Sequence, residues 1–207
     1  MKTDDLTPDR LAKKAQALFR KHGGTLRTTQ AMAEGVHPRT LYALRDAGVL
    51  QRLSRGLYRL ADSAPLANPD LVTVSLRVPE GVICLISALA FHNLTTQIPH
   101  QVHLAISRGA SPPRIDYPPV RSFVYSKQVF AAGIETHQLD KVPVHIYGPE
   151  KTLADCFKYR NKIGMDTAVE AIRLYKERRR VQVDALMRYA EICRVAKIMR
   201  PYLEAIL

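Results

Sequence analysis

The sequence predicts an α+β chain, with an N-terminal winged helix-turn-helix domain followed by a mixed α/β domain that has a small sheet and flanking helices. Three observations carry this. Thr25 to Leu60, TLRTTQAMAEGVHPRTLYALRDAGVLQRLSRGLYRL, sets two short helical patterns around a Gly turn and follows them with an alternating, arginine-rich ribbon. Ser63 to Pro69, SAPLANP, then changes texture, with prolines and no charge. Beyond it, alternating runs such as QVHLAIS and VRSFVYS are interspersed with helical periodicity. The expected boundaries are 1–62 for the winged helix-turn-helix, 63–69 for a linker and 70–207 for the second domain.

The first helix starts at Thr7-Pro8-Asp9, with Thr7 as cap and Pro8 at the first helical position. Its apolar positions are Leu11, Ala15, Leu18 and Phe19, and Gly23-Gly24 ends it. A short helix begins at Thr28, with Ala31 and Met32 as its apolar positions, and Gly35 breaks it. His37-Pro38 opens a third helix with Leu41, Leu44 and Ala47 on its inner face. Val49 to Leu60 then reads as a hairpin whose turn is Ser54-Arg55-Gly56.

In the second domain, Asp70–Arg77 and Val82–His92 read as helices separated by Pro79-Glu80-Gly81. Gln101–Ser107, Val120–Ser126, Ile134–Leu139 and Val142–Tyr147 read as strands, and Pro143 assigns the last to an edge or a bulge. Gly148-Pro149-Glu150 opens a helix over Lys151–Tyr159. From Asp166 onward the chain reads as two or three helices, with Arg200-Pro201 interrupting the last.

With 207 residues, 46% of them hydrophobic and 24% charged, the chain can bury a core as a globular protein does. Its net charge of +12 is more than a fold requires and suits a polyanionic partner. Cys84, Cys156 and Cys193 are far apart and flanked by apolar residues, so they read as buried free thiols. The polar start MKTDDLTPDR has no signal-peptide core, and the longest apolar run, Gly81–Leu94, is too short to span a bilayer. The expected location is the cytoplasm.

With Leu41 and Leu44 facing inward, Arg39, Thr40, Tyr42 and Ala43 point outward, where such a helix enters the major groove. Arg39 can read a guanine edge with two hydrogen bonds, and Thr40 and Tyr42 can reach base edges or phosphates. Thr28, Thr29 and Gln30 begin the preceding helix, a place to clamp phosphate, although Thr28 can equally cap it. Between His37 and Leu60, Arg39, Arg45, Arg52, Arg55 and Arg59 face only Asp46. Arg55, at the turn, suits a wing contact. Arg52 lies on the same ribbon, and Arg45 and Arg59 fit surface-covering stems as well as contacts. Lys176-Glu177-Arg178-Arg179-Arg180 reads as a solvated helix end or as a second interaction surface.

No nucleotide-binding loop or nucleophile-elbow motif occurs, so no cofactor is expected. On a strand His100 and His103 point to opposite sides, so with His92 they form no metal site. Asp140, Glu150 and Lys151 do not alternate on one strand face, as a metal-dependent nuclease requires. The chain is not expected to be an enzyme.

The chain resembles the AbiEi family of antitoxins of type IV toxin–antitoxin systems over most of its length. The segment GGTLRTTQAMAEGVHPRTLYALRDAGVLQRLSRGLYRL is similar to the family's winged-helix domain. Three later segments, DLVTVSLRVPEGVICLISALAFHNLTTQIPHQVHLAI, VPVHIYGPEKTLADCFKYRNKIGMD and YAEICRVAKIMRPYLEAIL, resemble its C-terminal domain. The resemblance implies a repressor that binds inverted repeats in double-stranded operator DNA upstream of its own operon. It also implies a neighbouring toxin of the nucleotidyltransferase class, neutralised without a stable complex, with the antitoxin role in the second domain. Carried over by position, Thr28, Thr29, Arg39, Thr40, Tyr42 and Arg55 would contact DNA. Two alternatives are a stand-alone regulator without a toxin and a module that docks another protein through its winged-helix surface.

Overall fold

A computed structural model describes residues 8–178 and 180–207, so the expected cap at Thr7 and Arg179 of the basic run lie outside the described residues. The N-terminal part opens with α1 (Pro8–Lys21), whose Ala15 and Phe19 are buried. After it come β1 (Thr25–Arg27), α2 (Thr28–Ala33) and α3 (Pro38–Asp46). The hairpin β2 (Leu50–Ser54) and β3 (Leu57–Leu60) closes the unit. Strand order is β1-β3-β2, all antiparallel. Three helices capped by such a sheet make the winged helix-turn-helix. Ala15, Phe19, Leu26, Ala31, Val36, Leu41, Leu44, Leu50, Tyr58 and Leu60 form one core.

The later part holds a five-stranded mixed sheet. Helix α4 (Pro69–Arg77) leads into β4 (Val82–Ile83), α5 (Leu85–Phe91), β5 (Val102–Ser107) and β6 (Val120–Tyr125). Next come α6 (Lys127–Ala131), β7 (Ile134–Leu139), β8 (Val142–Tyr147) and α7 (Pro149–Lys158). The chain finishes with α8 (Arg160–Ile163), α9 (Met165–Arg178), α10 (Val183–Ile192) and α11 (Ala196–Ile206). Strand order is β6-β5-β4-β8-β7, with β5–β6 and β4–β8 parallel.

The two-residue side-chain period sorts this sheet's core into two layers. Val102, Leu104, Ile106, Val142, Val144 and Ile146 pack with Val72 and Val74 of α4. Ala105, Phe123, Tyr125 and Tyr147 turn to the other face, against α5, α7 and the last three helices. Both faces are therefore covered, and α7 is buried from Pro149 to Phe157 apart from Glu150, its charged Lys151 and Asp155 included.

Several expectations need correction. β1 is too short to show as an alternating run, and it exists because β3 offers it a partner. Val82 and Ile83 are a strand, not the start of a helix, because they fill the slot between β5 and β8. Pro143 lies on β8, which is interior in strand order. It is tolerated because β4 pairs with β8 only at Ile146, leaving Pro143 paired on the β7 side alone. Pro201 sits inside α11 rather than ending it. Ala47 caps α3 instead of lining its inner face, and it is exposed. Helix α6 carried no periodic signal at five residues.

Candidate nucleic-acid interface

Helix α3 is placed by its ends and its inner face. Pro38 occupies the first turn, where a missing N–H costs nothing. His37 closes the open end, its Nδ1 accepting from the Arg39 backbone N–H at 3.1 Å. Leu41 and Leu44 are buried in the N-terminal core. Arg39, Tyr42 and Ala43 are left exposed, with Thr40 half-buried, as the inward positions of the leucines dictate.

Arg45 is also exposed, but it is not a free cation. Its Nε donates to Asp46 Oδ1 at 2.8 Å, its Nη2 lies 2.7 Å from the same oxygen, and its guanidinium sits 5.4 Å from the Tyr42 ring centre. Asp46 holds its pKa above the ordinary arginine value. Arg45 thus braces Tyr42 and offsets Asp46.

The wing turn is tighter than expected. Ser54 pairs with Leu57 inside the ladder, so Arg55 and Gly56 alone form the loop. Gly56 takes φ 71°, where a side chain is strained. Arg55 is exposed at this tip, and Arg52 is exposed on β2, its Nε 3.4 Å from the Ser54 carbonyl. Arg59 is different: it is buried at 8% exposure and donates to the carbonyl of Ala64. That places it behind the ribbon, against the connecting segment.

The start of α2 is fastened to the wing. The Thr28 N–H donates to the Gly56 carbonyl at 2.9 Å. The Gln30 side-chain oxygen accepts from the Arg27 N–H at 3.1 Å, so Arg27, not Thr28, is the cap residue. Of the three residues expected to clamp phosphate, Thr28 has spent its amide and Gln30 its oxygen. Thr29 remains exposed, and the Thr28 hydroxyl lies beside the turn, 3.7 Å from where a Gly56 Cβ would stand.

Two residues enter this neighbourhood that the sequence did not single out. Arg77, in the last turn of α4, donates through Nη1 to the Arg55 carbonyl at 2.5 Å. Burial, and then the charge of Arg77, lower the pKa of Arg27. A basic residue ending a helix reads as an ordinary dipole partner, so Arg77 gave no separate signal.

The other groups weighed for chemistry stand apart. Asp140 accepts from the Ala67 N–H at 3.2 Å, and Glu150 accepts from the Tyr175 hydroxyl at 2.6 Å. Lys151 is fully buried, 2.6 Å from both oxygens of Asp155 and 4.1 Å from the Tyr147 ring centre. Gly133 packs against its stem, where a Cβ would stand 2.7 Å from Lys151 Cβ. Burial raises Asp155 while Lys151 pulls it back, and the Cys193 thiol donates to Asp155 at 3.3 Å. Cys84, Cys156 and Cys193 are buried and free, with burial pushing Cys193 up to about 12. No group of three acidic, His or Cys side chains suited to a metal ion occurs among the described residues. In the basic run, Lys176 donates to the Ile206 carbonyl at 2.5 Å and Arg178 to that of Asn93 at 2.7 Å. Both bonds tie α9 to its own fold.

Comparison with known proteins finds a likeness of fold and a likeness of sequence. No curated protein sequence matches the chain. Among solved structures, the crystal structure of the RV2827C protein from Mycobacterium tuberculosis is similar, with a TM-score of 0.54 and 14% identity over 94% of this chain and 80% of that one. At that identity the likeness is one of fold. Residues 13–61, which run from α1 through the wing, match the family described as "Transcriptional regulator, AbiEi antitoxin". The likeness to the AbiEi antitoxin family of transcriptional regulators thus covers the N-terminal helices and hairpin, about a quarter of the chain.

Proposed function

We propose that this chain is a DNA-binding transcriptional repressor and type IV antitoxin. In this reading residues 1–62 bind operator DNA, 63–69 link, and 70–207 carry the antitoxin role. The observation that carries DNA binding is the outward row Arg39, Thr40 and Tyr42 on a capped helix beside an arginine-tipped wing. Arg39 reads a base edge in the major groove. Arg52 and Arg55 hold phosphates, with Thr29 and the Thr28 hydroxyl at the neighbouring helix start. Arg45 steadies Tyr42 rather than touching DNA, and Gln30 caps. A net charge of +12 suits this polyanion. The operator is an inverted repeat upstream of the chain's own gene, and the counterpart is a nucleotidyltransferase toxin that forms no stable complex with it. No helix among the described residues is long and apolar enough to cross a membrane; the proposed regulator acts in the cytoplasm, where its operator lies.

Two substitutions test the assignment on upstream DNA and a scrambled duplex. Arg39→Ala is expected to cut discrimination between them by about 1–3 kcal/mol. Arg55→Ala is expected to weaken both duplexes alike and to reduce the salt slope by about one. Unchanged affinity for upstream DNA in both variants contradicts the assignment.

A further inference from the structure

The winged helix and the following helix α4 meet at one unusual place. Arg27 precedes α2, Arg55 forms the wing tip, and Arg77 reaches across from the last turn of α4. The Arg77 guanidinium bonds the Arg55 carbonyl and lies 3.7 Å from the position of a Gly56 Cβ, as does the Thr28 hydroxyl. The Arg77 guanidinium and the Thr28 hydroxyl thus meet at one two-residue turn, with Arg55 in that turn and Arg27 paired to Leu57 beside it. None of the three arginines forms an ion pair with a carboxylate among the described residues. The Nε atoms of Arg27 and Arg77 are buried and have no hydrogen-bond partner there.

Like charges drawn together without a counter-charge cost stability, and burial of their N–H groups adds to that cost. In the same N-terminal unit Arg20 has Asp62, Lys21 has Glu34, and Arg45 has Asp46. Arginines left without a carboxylate beside an arginine-tipped wing are what an anion-binding site looks like before the anion arrives. A tetrahedral phosphate suits it, since guanidinium forks and a hydroxyl all donate to its oxygens.

We infer that Arg27, Arg77, Arg55 and the Thr28 hydroxyl form a phosphate seat for one backbone phosphate of duplex DNA, so that α4, outside the winged helix, is part of the reading head. This rests on the DNA-binding reading above and extends it. Arg77 then has two jobs. It fixes the wing to α4 through the Arg55 carbonyl, and it supplies a charge to the seat. Neutralising the phosphate relieves the Arg27–Arg77 repulsion, so DNA binding tightens the junction between the winged helix and the rest of the chain.

The test uses the full chain with Arg77→Gln, Arg27→Gln and Arg77→Lys, titrated with upstream duplex at several salt concentrations. Arg27→Gln leaves the Arg55 carbonyl bond intact, so it separates charge from wing positioning. Both Gln variants are expected to reduce the slope of log K against log salt by about one, with discrimination between upstream and scrambled DNA unchanged. Arg77→Lys keeps the slope. Thermal unfolding supplies a second arm: inorganic phosphate should raise the wild-type melting temperature more than chloride of equal ionic strength, and this excess should vanish in Arg77→Gln. Wild-type binding with unchanged slopes in both Gln variants overturns the seat. Absence of DNA binding by the wild type instead overturns the DNA-binding reading. In that case the phosphate excess decides whether the cluster is an anion site at all, and its absence removes that too.

Discussion

At the residue scale, the Lys151–Asp155 pair is the contact whose loss costs most. Both are fully buried, one turn apart on α7, with ammonium and carboxylate 2.6 Å apart. Removing one partner strands the other in a medium that cannot solvate it. Lys151→Met is expected to lower unfolding stability by about 3–5 kcal/mol, read from urea titration, while Lys151→Met with Asp155→Leu recovers most of the loss. The sequence hid this pair because an i, i+4 Lys–Asp spacing is usual on exposed helix faces. His103 supplies a pH signature. It is buried beside Phe123, its Nδ1 lacks a hydrogen-bond partner among the described residues, and burial followed by Arg121 lowers it to about 4. Between the unperturbed value of about 6.5 and 4, the unfolded chain binds a proton that the folded chain refuses. Stability therefore falls as pH drops through that window, by at most about 1.4 kcal/mol per pH unit. Urea midpoints at pH 7 and pH 5 should differ less in His103→Gln than in the wild type. An equal difference in both removes His103 from the account.

At the element scale, what was legible followed from period and punctuation. Pro38 and Pro149 each announced a helix, and each sits in a first turn. Strands β5, β6, β7 and β8 alternated clearly enough to be placed within a residue or so. What stayed hidden was short or decided by neighbours. β1 and β4 are strands only because a partner strand lies beside them, and Pro143 is permitted only because β4 stops short. Gly133 belongs with these, since nothing local explains it. Its φ is 74°, and a Cβ there would stand 2.7 Å from Lys151 Cβ, just ahead of β7. Gly133→Ala is expected to cost at least about 1–2 kcal/mol from backbone handedness alone. A thermal unfolding curve indistinguishable from wild type would show that the turn relaxes freely.

At the scale of the whole molecule, the winged helix and the mixed sheet are joined by more than a connector. Arg59 donates to Ala64, the Ala67 N–H to Asp140, and Arg77 to Arg55. The first two bonds anchor the stretch that composition alone marked as a linker, one to each side, and the third crosses it. Prolines and missing charge reveal a change of texture, but not which side chains will reach over it. The same holds for the site: the outward row of α3 was readable from Leu41 and Leu44, whereas the Arg77 contact depends on how α4 packs. The central claim is that this surface reads operator DNA, and the most direct measurement is the affinity of wild type and Arg39→Ala for the upstream duplex and a scrambled one across a salt series. The wild type is expected to prefer upstream DNA with a steep negative salt slope, and Arg39→Ala to lose most of that preference while keeping the slope within about one. Equal preference in the two proteins, or wild-type binding indifferent to salt, would contradict it.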